Sequence, residues 1–204
     1  MKISELVNIL GVDKLAPIHL MENYDEEKFA ECKHLTEEEK NDFQKSCWIE
    51  GKDYDTSELG VYLANVDVEK YYEFEYKYNP WQLKEIIDDI SFLFFLKFED
   101  VAIIYATYAI LHEVGHWINF KKSGMTSIEY AKWDYSYRYE ANKYSERLRR
   151  MSNSIPIKWA DAKEAVAKYR NIPAEKMADE YAFENLKSKL QILNIETRTI
   201  RELY

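Results

Sequence analysis

The chain has 204 residues, a formal net charge of −9 and a sequence pI near 5.1. Apolar residues make up 47% and charged residues 32%, a balance that excludes a disordered chain and suits one globular domain able to bury its own core. With 5 Gly and 4 Pro it is a poor match to a turn-rich β-sandwich, and an acidic chain lacks the basic footprint that nucleic-acid binding needs.

In chain order, residues 1–10 place Ile3, Leu6, Val7 and Leu10 at helical spacing, with Gly11 as the stop. A second helix is predicted from Thr36 toward Trp48, its first turn carrying Glu37, Glu38 and Glu39 at the positive end of the helix dipole. From Gly60 the periodicity changes. Residues 61–68 are rich in Val, and in 71–78 Tyr72, Phe74, Tyr76 and Tyr78 alternate with Glu73, Glu75 and Lys77. This period of two predicts strands, ended by Asn79-Pro80 and forming a small sheet. The strand at 72–78 offers an edge to an extended peptide, although its aromatic alternation is more simply a core face.

Helix is predicted again from Trp81 to Ile90 and on toward Phe95, then over 101–120, where the residues before His112 are apolar on nearly every face and predict a central buried helix. Ser123-Gly124 stops it. Further helices are predicted over 128–150, 161–169 and 174–193. The arginines at 147, 149 and 150 read as a solvated helix face rather than a phosphate site.

Cys32 and Cys47 are too few for a disulfide framework or a four-thiolate zinc site and read as free thiols. The most apolar stretch, 86–98, contains Asp88, Asp89 and Lys97 and is too short and too charged to span a bilayer. Glu5, Asp13 and Lys14 interrupt any signal-like run near the N-terminus, so a cytoplasmic protein with no membrane partner is expected.

Two of the 4 His fall in His112-Glu113-Val114-Gly115-His116, an H-E-x-x-H motif on the predicted buried helix. Residues four apart share a helix face, so both imidazoles can address one ion, and zinc accepts imidazole nitrogen in tetrahedral sites. Glu113 lies about 100° further round a helix of 3.6 residues per turn. There it can act as general base on a water held by the ion without being a ligand itself. His19 and His34 read as surface or satisfied core histidines. A catalytic zinc takes three protein ligands, so the third comes from another element. Glu175 is one candidate; Asp179, four residues on, would then accept the free ring N–H of a histidine ligand, with His112 favoured. Glu140 is the main competitor, with Tyr144 rather than a carboxylate at i+4; Glu129 and Glu180 are lesser ones.

At these residues the sequence resembles zinc peptidases of the ImmA/IrrE type, whose signature is H-E-x-G-H on one helix and E-x-x-A-(N/D)-x-(F/Y)-A on a later one. Here the first part reads His112, Glu113, Gly115, His116 and the second reads Glu175, Ala178, Asp179, Tyr181, Ala182. The resemblance implies an α+β, zincin-like fold, mostly helical, with a small sheet preceding the H-E-x-x-H helix. It implies one Zn2+ per chain on His112, His116 and Glu175, with Glu113 as the catalytic base. The long interval from His116 to Glu175 implies a helical insertion around 128–170 within a single domain, 1–204.

The function expected is zinc-dependent hydrolysis of peptide bonds in a specific protein or peptide substrate, a repressor by analogy with the family. Tyr130, Tyr135, Tyr137 and Tyr139 are candidates for the oxyanion donor such sites often add. Alternatives are a non-catalytic zincin-fold binding protein, or the zincin-like domains of antirestriction and phage proteins, which the sequence also resembles at His116-Trp117.

Overall fold

The computed structural model describes residues 1–24, 30–44, 57–94, 97–152 and 159–196. It is mostly helical with a small three-stranded sheet, compatible with the expected α+β class. Helix α1 (Ile3–Leu10) buries Ile3, Leu6, Val7 and Leu10, the face its spacing predicts, and ends on Gly11 in the left-handed conformation at φ 62°. Strands β1 (Ile18–Met21), β2 (Ala30–Lys33) and β3 (Gly60–Ala64) form one sheet in the order β1-β3-β2. β3 runs parallel to β1, pairing Val61 with Ile18, and antiparallel to β2, pairing Val61 with Cys32. Val61, Leu63 and Ala64 of the middle strand are buried. β1 and β2 escape sequence reading because each has four residues, too few to display a period.

Helix α2 (Glu37–Gln44) starts on a reciprocal cap: Thr36 N–H donates to Glu39 Oε2 at 2.8 Å and Glu39 N–H donates to Thr36 Oγ1 at 3.0 Å. The rest of the helix predicted toward Trp48, and Cys47, lie outside the described residues.

Residues 71–78 correct the sequence reading. They belong to helix α3 (Val68–Tyr78), not to a strand. A period of two puts Tyr72 and Tyr76 on one buried face, whereas Tyr76 is 67% exposed and Tyr71, on the supposed polar side, is 4% exposed. Val68 and Tyr71 are buried and Tyr72, Phe74, Glu75 and Tyr78 half-buried, steps of three and four that follow helical spacing. With aromatics at adjacent positions the segment satisfies both periods, and packing of α3 on the central helix decides between them. No strand edge exists at 72–78 to receive a peptide; the edges of the sheet are β1 and β2. The sheet does precede the H-E-x-x-H helix, as expected.

Helix α4 (Pro80–Leu93) follows, then the central helix α5 (Val101–Ser123), which ends on left-handed Gly124 at φ 68°. Every residue from Ile104 to Leu111 is buried. Helices α6 (Ser127–Ser152) and α7 (Trp159–Arg170) occupy the segment read as a helical insertion, and α8 (Pro173–Ile192) closes the described fold. Among the described residues no helix is long and apolar enough to cross a membrane.

α8 lies along α5. Its contact stripe runs Ala174, Ala178, Ala182, Leu186, Leu190, all at most 1% exposed. Small residues at one end and leucines at the other bring the first half of α8 closest to α5. At the closest point a methyl group on Gly115 would stand 3.0 Å from both Cα and O of Ala178, so only glycine fits there without a shift.

Candidate metal centre

The close approach of α5 and α8 carries two carboxylates onto the H-E-x-x-H face. Glu175, in the first turn of α8, is 2% exposed, and Asp179 is 8% exposed. Buried carboxylates at such positions need partners, since an unpaired buried charge is costly. Both have them.

His112 Nε2 and His116 Nε2 are 3.1 Å apart. His112 Nε2 is 3.3 Å from Glu175 Oε2, and His116 Nε2 is 3.6 Å from Glu175 Oε1. His112, His116 and Glu175 can therefore hold a metal ion. The fit can be tested on geometry. Two donors each about 2.0–2.1 Å from a tetrahedral zinc stand about 3.3–3.4 Å apart, and the three observed separations, which involve both Glu175 oxygens, lie close to that value. The donor set of two imidazoles and one carboxylate is also that of a catalytic zinc with one position open.

The outer partners orient the donors. His112 Nδ1–H donates to Asp179 Oδ1 at 2.8 Å, which leaves Nε2 as the atom facing His116 and Glu175. Tyr108 O–H donates to the same Asp179 oxygen, and Arg170 Nε–H donates to Asp179 Oδ2 at 2.8 Å. Burial pushes the Asp179 carboxyl up, but the His112 bond and the charges of His112 and Arg170 outweigh it and hold its pKa below the ordinary value. Glu175 follows the same pattern more strongly: burial raises it, and His116 and His112 hold it well below the usual carboxylate range. A second cation reaches Glu175, since Arg138 Nη2–H of α6 donates to Oε1.

These groups open into a cavity of about 580 Å³. Glu113 lines it together with His112, His116 and Glu175. One wall carries Tyr71, Glu75, Tyr105 and Tyr108 from α3 and α5; the other carries His34, Tyr130, Asp134, Arg138 and Tyr169. Of the tyrosines nominated from sequence, only Tyr130 reaches the cavity; Tyr135, Tyr137 and Tyr139 are 52%, 48% and 53% exposed. Tyr130 Oη and Asp134 Oδ1 are buried behind this wall with no hydrogen-bond partner.

His34, read from the sequence as a surface or satisfied core histidine, is half-buried beside the metal centre. It lines the cavity, packed edge-on against Tyr130 with centroids 5.0 Å apart. Burial, then the charges of His116 and Arg138, lower its pKa to about 4. His19 does stand apart, stacked on Tyr62 at 4.5 Å with Nε2 bonded to the Leu59 carbonyl. Cys32 is a free thiol that also lines the cavity. Burial, Glu113 and Glu31 push its pKa well up, so it stays an un-ionised thiol rather than a thiolate donor.

Two of the competing carboxylates separate clearly from the site. Glu129 is exposed and accepts from Thr126 N–H at 2.8 Å as a helix cap; Glu180 is exposed on the other side of α8. The side chain of Glu140 lies outside the described residues. Sequence reading did not find Arg138, Arg170, Tyr108 or Tyr169. The Asp134–Arg138 spacing of i,i+4 is visible in the sequence, but such a pair reads as a solvated ion pair. Arg170 carries no local signal at all.

No family model, no characterised protein and no solved structure matches this chain.

Proposed function

We propose that this chain is a zinc-dependent endopeptidase of the ImmA/IrrE type on a zincin-like fold, acting on a specific protein or peptide substrate. The observation that supports it is the convergence of His112, His116 and Glu175 within 3.1–3.6 Å, with Glu113 on the same cavity wall. A purely structural metal site has no use for a free carboxylate beside it, and an intact Glu113 favours catalysis.

When bound, the ion supplies Lewis acidity to the attacking water and to the scissile carbonyl. The protein does the rest. Asp179 holds His112 in the tautomer whose Nε2 is free to donate. Glu113 takes a proton from the water as its oxygen bonds to the carbonyl carbon, then delivers that proton to the amide nitrogen as the C–N bond breaks. A cytoplasmic setting and a repressor as substrate belong to the same proposal, by analogy with the family.

Purified protein should carry one zinc per chain by elemental analysis. Glu113→Gln should keep that zinc and lose cleavage when new protein termini are compared across a proteome expressing wild type or variant. Absence of zinc after metal-replete purification removes the peptidase reading. Identical termini for wild type and Glu113→Gln, with zinc retained, favour the alternative of a non-catalytic binding protein.

A further inference from the structure

α8 presents two buried carboxylates four residues apart, and each is met by one arginine from the α6–α7 segment. Arg138 of α6 donates through Nη2 to Glu175 Oε1 and through Nε to Asp134 Oδ2, and its Nη1 stands 3.4 Å from the Tyr169 hydroxyl. The guanidinium also lies 5.7 Å from the centre of the Tyr169 ring. Its orientation is therefore set by three partners on three helices. Arg170, at the last position of α7, donates through Nε to Asp179 Oδ2 at 2.8 Å and through Nη1 to Asp89 Oδ2 of α4 at 2.6 Å. In both cases the planar fork engages the α8 carboxylate with one N–H and an anchoring aspartate with another, a geometry an ammonium cannot reproduce.

We propose that Arg138 and Arg170 are positioning residues of the metal centre, and that the α6–α7 segment is a working part of that centre rather than a spacer. Arg138 engages Glu175 Oε1, the oxygen 3.6 Å from His116 Nε2, and so fixes the carboxylate plane that sets Oε2 3.3 Å from His112 Nε2. Arg170 fixes Asp179 from behind, so that its other oxygen meets His112 Nδ1–H at 2.8 Å. Each arginine also neutralises a carboxylate that would otherwise repel its neighbour across one turn of α8. The two acidic side chains are held ionised and aimed before any ion arrives, which lowers the reorganisation that binding requires.

This inference rests on His112, His116 and Glu175 forming a metal site. Zinc affinity is measured by competition with a chromophoric chelator, and the coordination sphere by the visible absorption of the Co2+-substituted protein. The variants are Arg138→Gln, Arg138→Lys, Arg170→Gln and Arg170→Lys, with Lys163→Ala on α7 as a control, an exposed lysine in a loose ion pair with Glu85 at 3.7 Å. Each glutamine variant should bind zinc about 10–100-fold more weakly, the usual cost of losing an outer partner. The Co2+ bands of the Arg138 variants should shift as Glu175 is released. The lysine variants keep the charge and test the fork where a glutamine variant does not fold; they should remain folded by circular dichroism and still bind more weakly than wild type. The control should match wild type. Folded arginine variants with wild-type affinity and an unchanged Co2+ spectrum overturn the proposal while leaving the metal site standing. A wild-type protein that binds no zinc overturns both.

Discussion

Gly115 of α5 lies directly against the backbone of Ala178 of α8: a methyl group at Gly115 would stand 3.0 Å from Ala178 Cα and from its carbonyl oxygen. This contact sets the distance between the helix that carries the two histidines and the helix that carries Glu175 and Asp179. Backbone, unlike a flexible side-chain tip, gives way only if the helix that carries it shifts. The glycine within the H-E-x-G-H pattern thus has a packing role that its two histidines depend on.

Gly115→Ala should therefore weaken the site. Alanine recovers about 1 kcal/mol of helix propensity, while overpacking costs about 1–3 kcal/mol, so the expected net loss is up to about 2 kcal/mol. Zinc affinity should fall as well, because α8 is pushed outward where Glu175 is mounted. Urea denaturation and chelator competition on the same samples check both. Unchanged affinity in Gly115→Ala would show that the α5–α8 distance does not govern the site.

Asp179→Asn keeps the shape of the side chain and removes its charge. It leaves Arg170 facing a neutral amide and lets His112 lose its fixed tautomer. Metal affinity is expected to drop about 10–100-fold, with secondary structure retained. Circular dichroism alongside the competition assay separates this outcome from unfolding.

His112 should make the ion-free protein sensitive to alkali. Burial opposes its protonation, but bonds to Asp179 and Glu175 outweigh that and raise its pKa to about 10. The folded state then holds a proton that the unfolded chain gives up near pH 6.5, so stability falls as pH rises between those values. Its contribution is complete below pH about 6.5 and gone beyond about 10. Metal binding must displace the same proton, so affinity should rise with pH over this window. Urea midpoints of chelator-treated protein from pH 6 to 10 test the first point. A flat profile would be inconsistent with a protonated His112.

His34 acts at the opposite end of the scale. Its pKa of about 4, lowered by burial and by His116 and Arg138, means the unfolded chain binds a proton that the folded chain refuses between about pH 6.5 and 4. Stability should fall as the solution is acidified through that range. His34→Phe keeps an aromatic ring against Tyr130 and Phe120 and should flatten this part of the profile. An acid limb as steep as that of wild type would assign the loss to other groups.

The division between sequence and tertiary structure follows the range of the interactions. The pairing of His112 with His116, the flank position of Glu113 and the i,i+4 relation of Glu175 to Asp179 are properties of single helices, and the 3.6-residue period makes them legible in the chain itself. So are the helix stops at Gly11 and Gly124, where a left-handed residue is needed. The tertiary structure decided what no local period encodes. It brought Glu175, rather than Glu180 of the same helix, to the two histidines, because the face of α8 that carries Ala178 packs on Gly115 of α5. It turned 71–78 from an apparent strand into a helix, because a segment that satisfies two periods is settled by what it packs against. It also gave several tyrosines a place beside the histidines, with Tyr108 donating to Asp179 and Tyr71, Tyr105, Tyr130 and Tyr169 lining the cavity. The two arginine clamps join residues 37 and 9 positions apart on different helices. Contacts of that kind depend on how helices are stacked, and only the folded chain contains that information.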